Sequence, residues 1–100
     1  MKKFVFDIDG TICEEGPAQE RIFSQPKNET IEFINKLYSQ GHMIIIYTAR
    51  SWDQYKITTH WLKNNNINYH TIMFGKPIYD YWIDDRCVNV DDLIDFKNNF

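Results

Sequence analysis

The sequence has few of the residues that would place it in several common classes of protein. It contains only two cysteines, and Cys13 and Cys87 show neither a C-x-x-C spacing nor a histidine pattern suited to zinc. No apolar run approaches the roughly 20 residues that a membrane-spanning helix needs. We therefore expect two buried or half-buried free thiols in a cytoplasmic protein that does not contact a membrane.

Basic residues are too few and too scattered to form a surface for nucleic acid. Eleven lysines and arginines stand against 14 acidic residues, the formal net charge is −3, and only Lys2 and Lys3 are adjacent. Nucleic-acid-binding domains usually carry a clustered basic patch or stripe. Nucleic acid is therefore not an expected partner.

What the sequence does contain is the composition of an ordinary globular domain. Hydrophobic residues make up 43% and charged residues 25% of its 100 residues, and a chain of this length suits one hydrophobic core rather than two. We expect a single domain over residues 1–100. Within it, the stretch 12–25 contains Gly16 and Pro17, and we expect a short flap there.

Compact apolar runs alternate with segments of helical periodicity. The apolar runs predict strands at 3–8, 42–50, 67–74 and 79–85. One hydrophobic face over 28–40 predicts a helix that ends at Gly41, and further helices are predicted over 51–66 and 90–100, the last with Asp91 as a candidate cap. Such alternation implies right-handed crossovers between parallel strands. The predicted fold class is therefore α/β, with a Rossmann-like parallel sheet flanked by helices on both faces.

Polar side chains follow every predicted strand, at the edge where ligands of such sheets bind. In chain order these are Asp7 and Asp9, then Thr48 to Arg50, then Gly75 and Lys76, then Asp84 and Asp85. Carboxylates gathered at one edge would repel each other unless a cation lay among them, and oxygen-rich clusters suit Mg²⁺. A lysine, a threonine hydroxyl and loop amides beside the cation would hold a phosphoryl group. The edge therefore predicts a Mg²⁺ site that binds phosphate.

The order of these motifs resembles the haloacid dehalogenase superfamily, and in particular its phosphatases. D-x-D-G-T, a strand ending in threonine, a lysine and an acidic pair follow one another from Phe4 to about Asn89. The stretches FDIDGTIC, IYTAR and GKPIYDYWIDD look closest to small bacterial phosphatases found in capsule and surface-polysaccharide gene neighbourhoods. The resemblance implies a Mg²⁺-dependent phosphatase that hydrolyses a phosphomonoester, such as a sugar phosphate of polysaccharide biosynthesis, through an aspartyl-phosphate intermediate.

The resemblance also implies which carboxylates carry the chemistry. Asp7 corresponds to the nucleophile that attacks phosphorus, and Asp9 to the general acid that later acts as the base. Asp7 and the backbone carbonyl of Asp9 are expected to bind Mg²⁺. Asp85 is expected to be a further direct ligand, with Asp84 behind it near Lys76, although the two could exchange roles.

Substrate contacts are expected from the other motif residues. Thr48 and Lys76 correspond to the groups that hold the phosphoryl oxygens, and the loop at Gly10 and the backbone at Ala49 are further candidates. Arg50 either contacts substrate or forms an ion pair on the rim of the site.

Three alternative functions share these residue types. A phospho-accepting signalling module would use them too, but its acidic pair comes first and its acceptor aspartate lies on a later strand. A metal nuclease fits the acidic edge, although the acidic composition opposes it. A phosphatase acting on a phosphoprotein or on a nucleic-acid end stays open as a third alternative.

No segment of the sequence is long enough to form a folded cap over the site. Both the stretch 13–25 and the stretch 50–75 are too short for one, so we expect an open active site. Such a site would admit a bulky substrate, or a small sugar phosphate that a neighbouring subunit encloses in a homo-oligomer.

Overall fold

The computed structural model describes all 100 residues and contains one three-stranded parallel sheet. Its strands are β1 (Lys3–Phe6), β2 (Met43–Tyr47) and β3 (Thr71–Met73), and β2 lies in the middle. In the register of the sheet, Phe6 lies beside Ile46 and Ile46 lies beside Ile72. The outer edge of β1 is unpaired.

Three α-helices connect and follow the strands. They are α1 (Asn28–Ser39), α2 (Tyr55–Asn64) and α3 (Leu93–Lys97), and short 3₁₀ helices span Ala18–Phe23, Trp52–Gln54 and Val90–Asp92. Helix α1 forms because its apolar residues recur on one face, and it ends two residues before Gly41, whose φ of +87° favours glycine. None of the helices has the length and apolar character that crossing a membrane would require.

Both long helices pack on the same face of the sheet. Side chains of β1 and β2 form one buried core with residues of α1 and α2, and the central members of this core are Phe6, Ile44, Ile46, Phe33, Ile34, Leu37, Trp61 and Leu62. Burying apolar surface of this kind contributes about 25 cal/mol per Å². The same packing holds the carboxyl ends of the strands, and the loops that follow them, in fixed positions.

The opposite face of the sheet is uncovered, which corrects the prediction that helices flank both faces. Val5 is 61% exposed and Met73 is 48% exposed, whereas Phe6 and Ile72, which adjoin them in the same strands, pack into the core. Right-handed crossovers from β1 to β2 and from β2 to β3 step in one direction, so they place both helices on one side. Helix α3 also packs against the covered side through Leu93 and Phe96.

The predicted fourth strand at 79–85 is wrong. Residues 74–89 contain no strand or helix, and Ile78 and Ile83 are more than 90% exposed. Local side-chain contacts compete with strand formation there, because Asp84 accepts hydrogen bonds from the amide of Arg86 and from Trp82 Nε1. We call residues 77–89, all of which are exposed, the exposed segment.

Several element boundaries also differ from those that were predicted. Strand β1 ends at Phe6 and β3 covers only three residues, and the predicted second and third helices each begin with a 3₁₀ turn. The side chain that caps the last helical segment is that of Asn89, not Asp91, because Asn89 accepts a hydrogen bond from the Asp91 amide. The flap contains only a 3₁₀ helix, and no folded cap is present. Both cysteines are free thiols, but Cys87 is exposed rather than buried.

Candidate active site

The loop that follows β1 carries both aspartates and is closed by a single carbonyl. The amides of residues 11–13 lie 2.8–3.2 Å from the carbonyl oxygen of Ile8. Gly10 adopts a φ of +82°, and a Cβ at this position would lie 3.3 Å from Glu15 Oε1, so the turn favours glycine. The Gly10 amide donates to the carbonyl of Cys13 at 2.8 Å, and this amide is therefore used inside the loop.

Asp9 forms a two-point ion pair with Arg50. Arg50 Nε donates to Asp9 Oδ2 at 2.9 Å, and Arg50 Nη2 donates to Asp9 Oδ1 at 2.8 Å. Arg50 Nη1 donates to Thr58 Oγ1 of α2 at 2.9 Å. The side chain of Arg50 is 1% exposed and that of Asp9 is 24% exposed. Arg50 thus forms an ion pair, but beneath the site rather than on its rim.

The ion pair sets the ionisation of Asp9. Burial acts to raise the pKa of Asp9, but the hydrogen bonds and the positive charge of Arg50 outweigh burial and hold this pKa below its usual value. Asp9 is therefore ionised at neutral pH in this structure. An ionised carboxylate can accept a proton, which is the state that a general base needs.

Asp7 has the opposite environment. Burial raises the pKa of Asp7 above its usual value, and the charges of Asp9 and Glu15 add to this effect, while the charge of Lys76 and a hydrogen bond from the Ile8 amide oppose it. No lysine or arginine forms an ion pair with Asp7. A half-buried carboxylate without a paired cation is well suited to binding one.

Thr48 links the motif that follows β2 to the motif that follows β3. Its carbonyl accepts the amide of Lys76 at 2.9 Å, and the amide of Gly75 donates to the carbonyl of Arg50 at 3.0 Å. The Thr48 side chain is fully buried, and its Oγ1 accepts the amide of Arg50 at 3.1 Å. Ala49, between them, is exposed. The motifs after β2 and β3 therefore form one hydrogen-bonded unit.

The acidic pair is not part of this arrangement. Asp84 and Asp85 are exposed, Asp85 lies 3.8 Å from the Arg86 guanidinium, and a hydrogen bond from the Arg86 amide lowers the pKa of Asp84. No group of three histidine, cysteine or acidic side chains is placed to hold a metal ion. The loop after β1 thus fits part of a Mg²⁺ site, through the Asp7 carboxylate and the Asp9 carbonyl, and the structure does not bring the acidic pair to it.

Three residues near the site carry no sequence motif. Lys27, just before α1, donates from Nζ to the carbonyl of Gly10 at 3.1 Å. Glu15 lies over Gly10, and its charge raises the pKa of Asp7. Thr58 holds Arg50 from α2. None of the three had a signal in the sequence, because their burial and contacts depend on the tertiary fold.

Aromatic rings stand beside the motifs at the same edge of the sheet. Trp52 is 62% exposed, and its ring centroid lies 4.8 Å from that of Phe74 and 6.4 Å from that of Tyr55, to which it is nearly parallel. Lys76 Nζ lies within 5.5 Å of the ring centroids of Tyr79 and Trp82. The edge that carries Thr48 and Lys76 therefore also exposes flat apolar rings.

Comparisons with known proteins agree with this fold. A family model for haloacid dehalogenase-like hydrolases matches residues 4–82. A crystal structure of a target protein from Vibrio cholerae is 27% identical, with a TM-score of 0.76, and the match covers 99% of this chain and 98% of that one. No match was found among curated protein sequences.

Two structures of RNA-repair assemblies share the fold at lower identity. In a Pnkp1/Rnl/Hen1 complex the match is 19% identical with a TM-score of 0.68, and covers 84% of this chain and 30% of that one. A second Pnkp1/Rnl/Hen1 RNA repair complex is also 19% identical, with a TM-score of 0.67 and coverages of 81% and 27%. At this identity the likeness extends to the fold.

Proposed function

The chain belongs to the haloacid dehalogenase-like hydrolases, and from its site we propose that it is a Mg²⁺-dependent phosphatase. The substrate class is a phosphomonoester, and the reaction passes through a phosphoryl group bonded to Asp7. Hydrolysis then frees Asp7 for the next cycle.

One observation carries the proposal: three motifs that are distant in the sequence meet at one edge of the sheet. The Arg50–Asp9 ion pair of 2.8 Å joins the motif after β1 to the motif after β2. The 2.9 Å hydrogen bond between Thr48 and Lys76 joins the motif after β2 to that after β3. The charge of Lys76 acts on Asp7. The residues that we propose as nucleophile, proton-transfer group and phosphate-binding lysine therefore belong to motifs that lie at the same edge.

Each residue then has one task. A carboxylate oxygen of Asp7 attacks phosphorus, and the bond from phosphorus to the leaving oxygen breaks as Asp9 delivers a proton to that oxygen. Asp9 takes up this proton when the negative charge of the bound phosphoryl group raises its pKa. Asp9 is then ionised, as it is in this structure, and takes a proton from the water that cleaves the phosphoryl-Asp7 bond. Lys76 holds the phosphoryl oxygens during both steps. The Thr48 hydroxyl, which is buried in this structure, would join it after a local rearrangement in the bound state.

Mg²⁺, when bound, would offset the negative charge shared by Asp7 and the phosphoryl group. Asp7 and the Asp9 carbonyl would hold it from the loop after β1. For Asp84 and Asp85 to contribute, the exposed segment would have to move towards that loop. The proposal thus assigns the acidic pair to a bound state that differs from the arrangement described above.

We propose a sugar phosphate of polysaccharide biosynthesis as the substrate class. The absence of a cap leaves the site open, and the exposed Trp52 and Tyr55 rings offer flat apolar surface that can pack against a sugar ring. The net charge of −3 does not favour a long phosphodiester chain. A cytoplasmic location and a homo-oligomer that covers the open site accompany this proposal.

Hydrolysis of an aryl phosphate by the wild-type protein and by Asp7→Asn, with and without Mg²⁺, tests the mechanism. We expect activity that requires Mg²⁺ and a loss of at least about 10³-fold in kcat for Asp7→Asn, because the nucleophile is removed. Asp95→Asn, on the exposed side of α3, is the matched control and should retain activity. Equal activity without metal, or in Asp7→Asn, would contradict the proposal.

A panel of substrates tests the proposed class. Hexose phosphates, nucleoside monophosphates, a phosphopeptide and a 3′-phosphorylated oligonucleotide should be compared by kcat/KM. We expect the highest value for a hexose phosphate. A higher value for the phosphopeptide or the oligonucleotide would favour the macromolecular alternative instead.

A further inference from the structure

Arg50 is enclosed by the protein, whereas the carboxylate that it binds remains accessible. Its guanidinium contacts both oxygens of Asp9 and the hydroxyl of Thr58, and its side chain is 1% exposed against 24% for Asp9. We infer that Arg50 is a positioning residue, which holds the Asp9 carboxylate for proton transfer to the leaving group and does not touch the substrate. This inference rests on the phosphatase function proposed above.

The geometry of the ion pair supports this role. A single contact would leave the carboxylate free to rotate, but contacts of 2.9 and 2.8 Å to its two oxygens fix both its position and its plane. Only a guanidinium can make this side-on contact, because an ammonium binds as a point charge. Proton transfer requires the donor to lie within hydrogen-bond reach of the leaving oxygen, so a fixed plane is useful there.

Arg50 is itself held from the other side. Thr58 is fully buried on α2 and accepts a hydrogen bond from Arg50 Nη1 at 2.9 Å. Helix α2 is packed into the core through Trp61 and Leu62. The position of Asp9 is therefore tied to the core by the sequence of contacts from α2 through Thr58 and Arg50.

A residue that acts through Asp9 can be recognised by its dependence on the leaving group. An alkyl phosphate releases a poor leaving group that needs the proton, whereas a nitrophenyl phosphate releases a stable phenolate that does not. The ratio of the two kcat/KM values, alkyl over nitrophenyl, reports how well the proton is delivered. A general loss of structure would lower both values together.

The experiment compares wild type, Arg50→Ala and Arg50→Lys on these two substrates in saturating Mg²⁺. Because a general acid contributes about 10²–10⁴-fold, we expect Arg50→Ala to lower the alkyl-to-nitrophenyl ratio by about tenfold or more. Arg50→Lys should lower it less, and millimolar guanidinium should raise the ratio again in Arg50→Ala. An unchanged ratio in both variants would overturn the inference.

The same substitution in an Asp9→Asn background gives a second readout. If Arg50 acts through Asp9, adding Arg50→Ala to Asp9→Asn should change kcat/KM for the alkyl phosphate by less than about twofold, because the shared contribution is already lost. If Arg50→Ala lowers kcat/KM in the Asp9→Asn background by the same factor as in the wild type, the inference is overturned, since Arg50 would then have a role independent of Asp9.

Thr58→Val provides the test if Arg50→Ala does not fold. Valine has nearly the shape of threonine but cannot accept the hydrogen bond, so the ratio should fall in the same direction by a smaller factor. A ratio that stays at the wild-type value in folded Thr58→Val and Arg50→Lys would overturn the inference. Wild-type protein that hydrolyses neither substrate would overturn the proposed function and this inference with it. An active wild type whose variants lose both activities equally would overturn the inference alone.

Discussion

Residues 3–76 and the exposed segment differ in how their polar motifs are held. Asp9, Thr48 and Arg50 are tied by hydrogen bonds to strands and helices whose apolar residues form the core. Asp84 and Asp85 contact only the nearby Trp82 and Arg86. Carboxylates of the same type are thus fixed by tertiary packing in one region and by local contacts in the other.

The difference shows what a motif needs in order to become a site. Asp9 is paired with the buried Arg50, and the packing of the surrounding core holds Arg50 in position. The acidic pair follows the apolar run Tyr81 to Ile83, which is not paired with any strand. The outer edges of β1 and β3 are unpaired, and the face of the sheet at Val5 is uncovered, so the sheet has several places that lack a neighbour.

The largest expected effect compares one isoleucine from each region. Ile46 is fully buried in β2, and Ile83 is 96% exposed. Ile46→Ala should lower the free energy of unfolding by about 2–5 kcal/mol because it leaves a cavity, whereas Ile83→Ala should change it by less than about 0.5 kcal/mol. Urea unfolding measures both. A loss above about 1 kcal/mol for Ile83→Ala would show that the exposed segment packs in solution.

The next effect concerns the affinity for Mg²⁺. If Asp85 reaches the site in the bound state, Asp85→Asn should raise the Mg²⁺ concentration at half-maximal activity by about tenfold or more. The free energy of unfolding without metal should stay unchanged, because the residue is exposed. Asp80→Asn, in the same segment, is the matched control. The same Mg²⁺ requirement in Asp85→Asn and wild type would assign the acidic pair to the protein surface.

A smaller effect is expected at Trp52, an exposed ring of the first region that lies against Phe74. Trp52→Ala should raise KM for a hexose phosphate by about fivefold and leave kcat nearly unchanged, because an exposed ring contributes roughly 1 kcal/mol of binding. Trp52→Phe should retain most of the affinity. Tyr38→Ala is the control, since Tyr38 lies near the end of α1, before β2 begins. A fall in kcat with constant KM would contradict a role in binding the sugar.

The smallest effect is a change in thermal stability at Asp7. Burial raises the pKa of Asp7, so its ionised form destabilises the folded protein at neutral pH without metal, and this penalty fades as the pH falls below the raised pKa. Asp7→Asn should therefore raise the melting temperature slightly at pH 7 in metal-free buffer, and the difference should shrink near pH 4. Added Mg²⁺ should stabilise the wild type only. A lower melting temperature for Asp7→Asn at pH 7 would contradict this account.

The hydrophobic pattern was enough to predict the three strands and α1, because each of these segments contributes apolar residues to the core. The run Met43–Tyr47 and the helical face with Gly41 at its end behave as predicted. The α/β fold class and the parallel sheet were also correct. The stretch 79–85 contains aromatic and β-branched residues that are common in strands, but a strand exists only when a neighbour accepts its hydrogen bonds, and composition does not report the neighbour.

The candidate site also contains features that the sequence predicts and features that it does not. That Asp9 and Arg50 lie at one edge could be predicted from the order of strands. Their two-point contact could not, because it depends on burial and on Thr58, which no motif marks. The position of Lys27 against the Gly10 carbonyl is likewise a product of how the flap folds back before α1, and its spacing from Gly10 in the sequence carries no signal.

The two thiols give the chain a built-in chemical reporter. Burial raises the pKa of Cys13 to about 11, so this thiol is almost entirely protonated at neutral pH and should react slowly with maleimides and iodoacetamide. Cys87 is exposed and lies in the exposed segment, two residues after Asp85. A dye attached to wild-type protein would therefore label one position, and that position would report movement of the acidic pair.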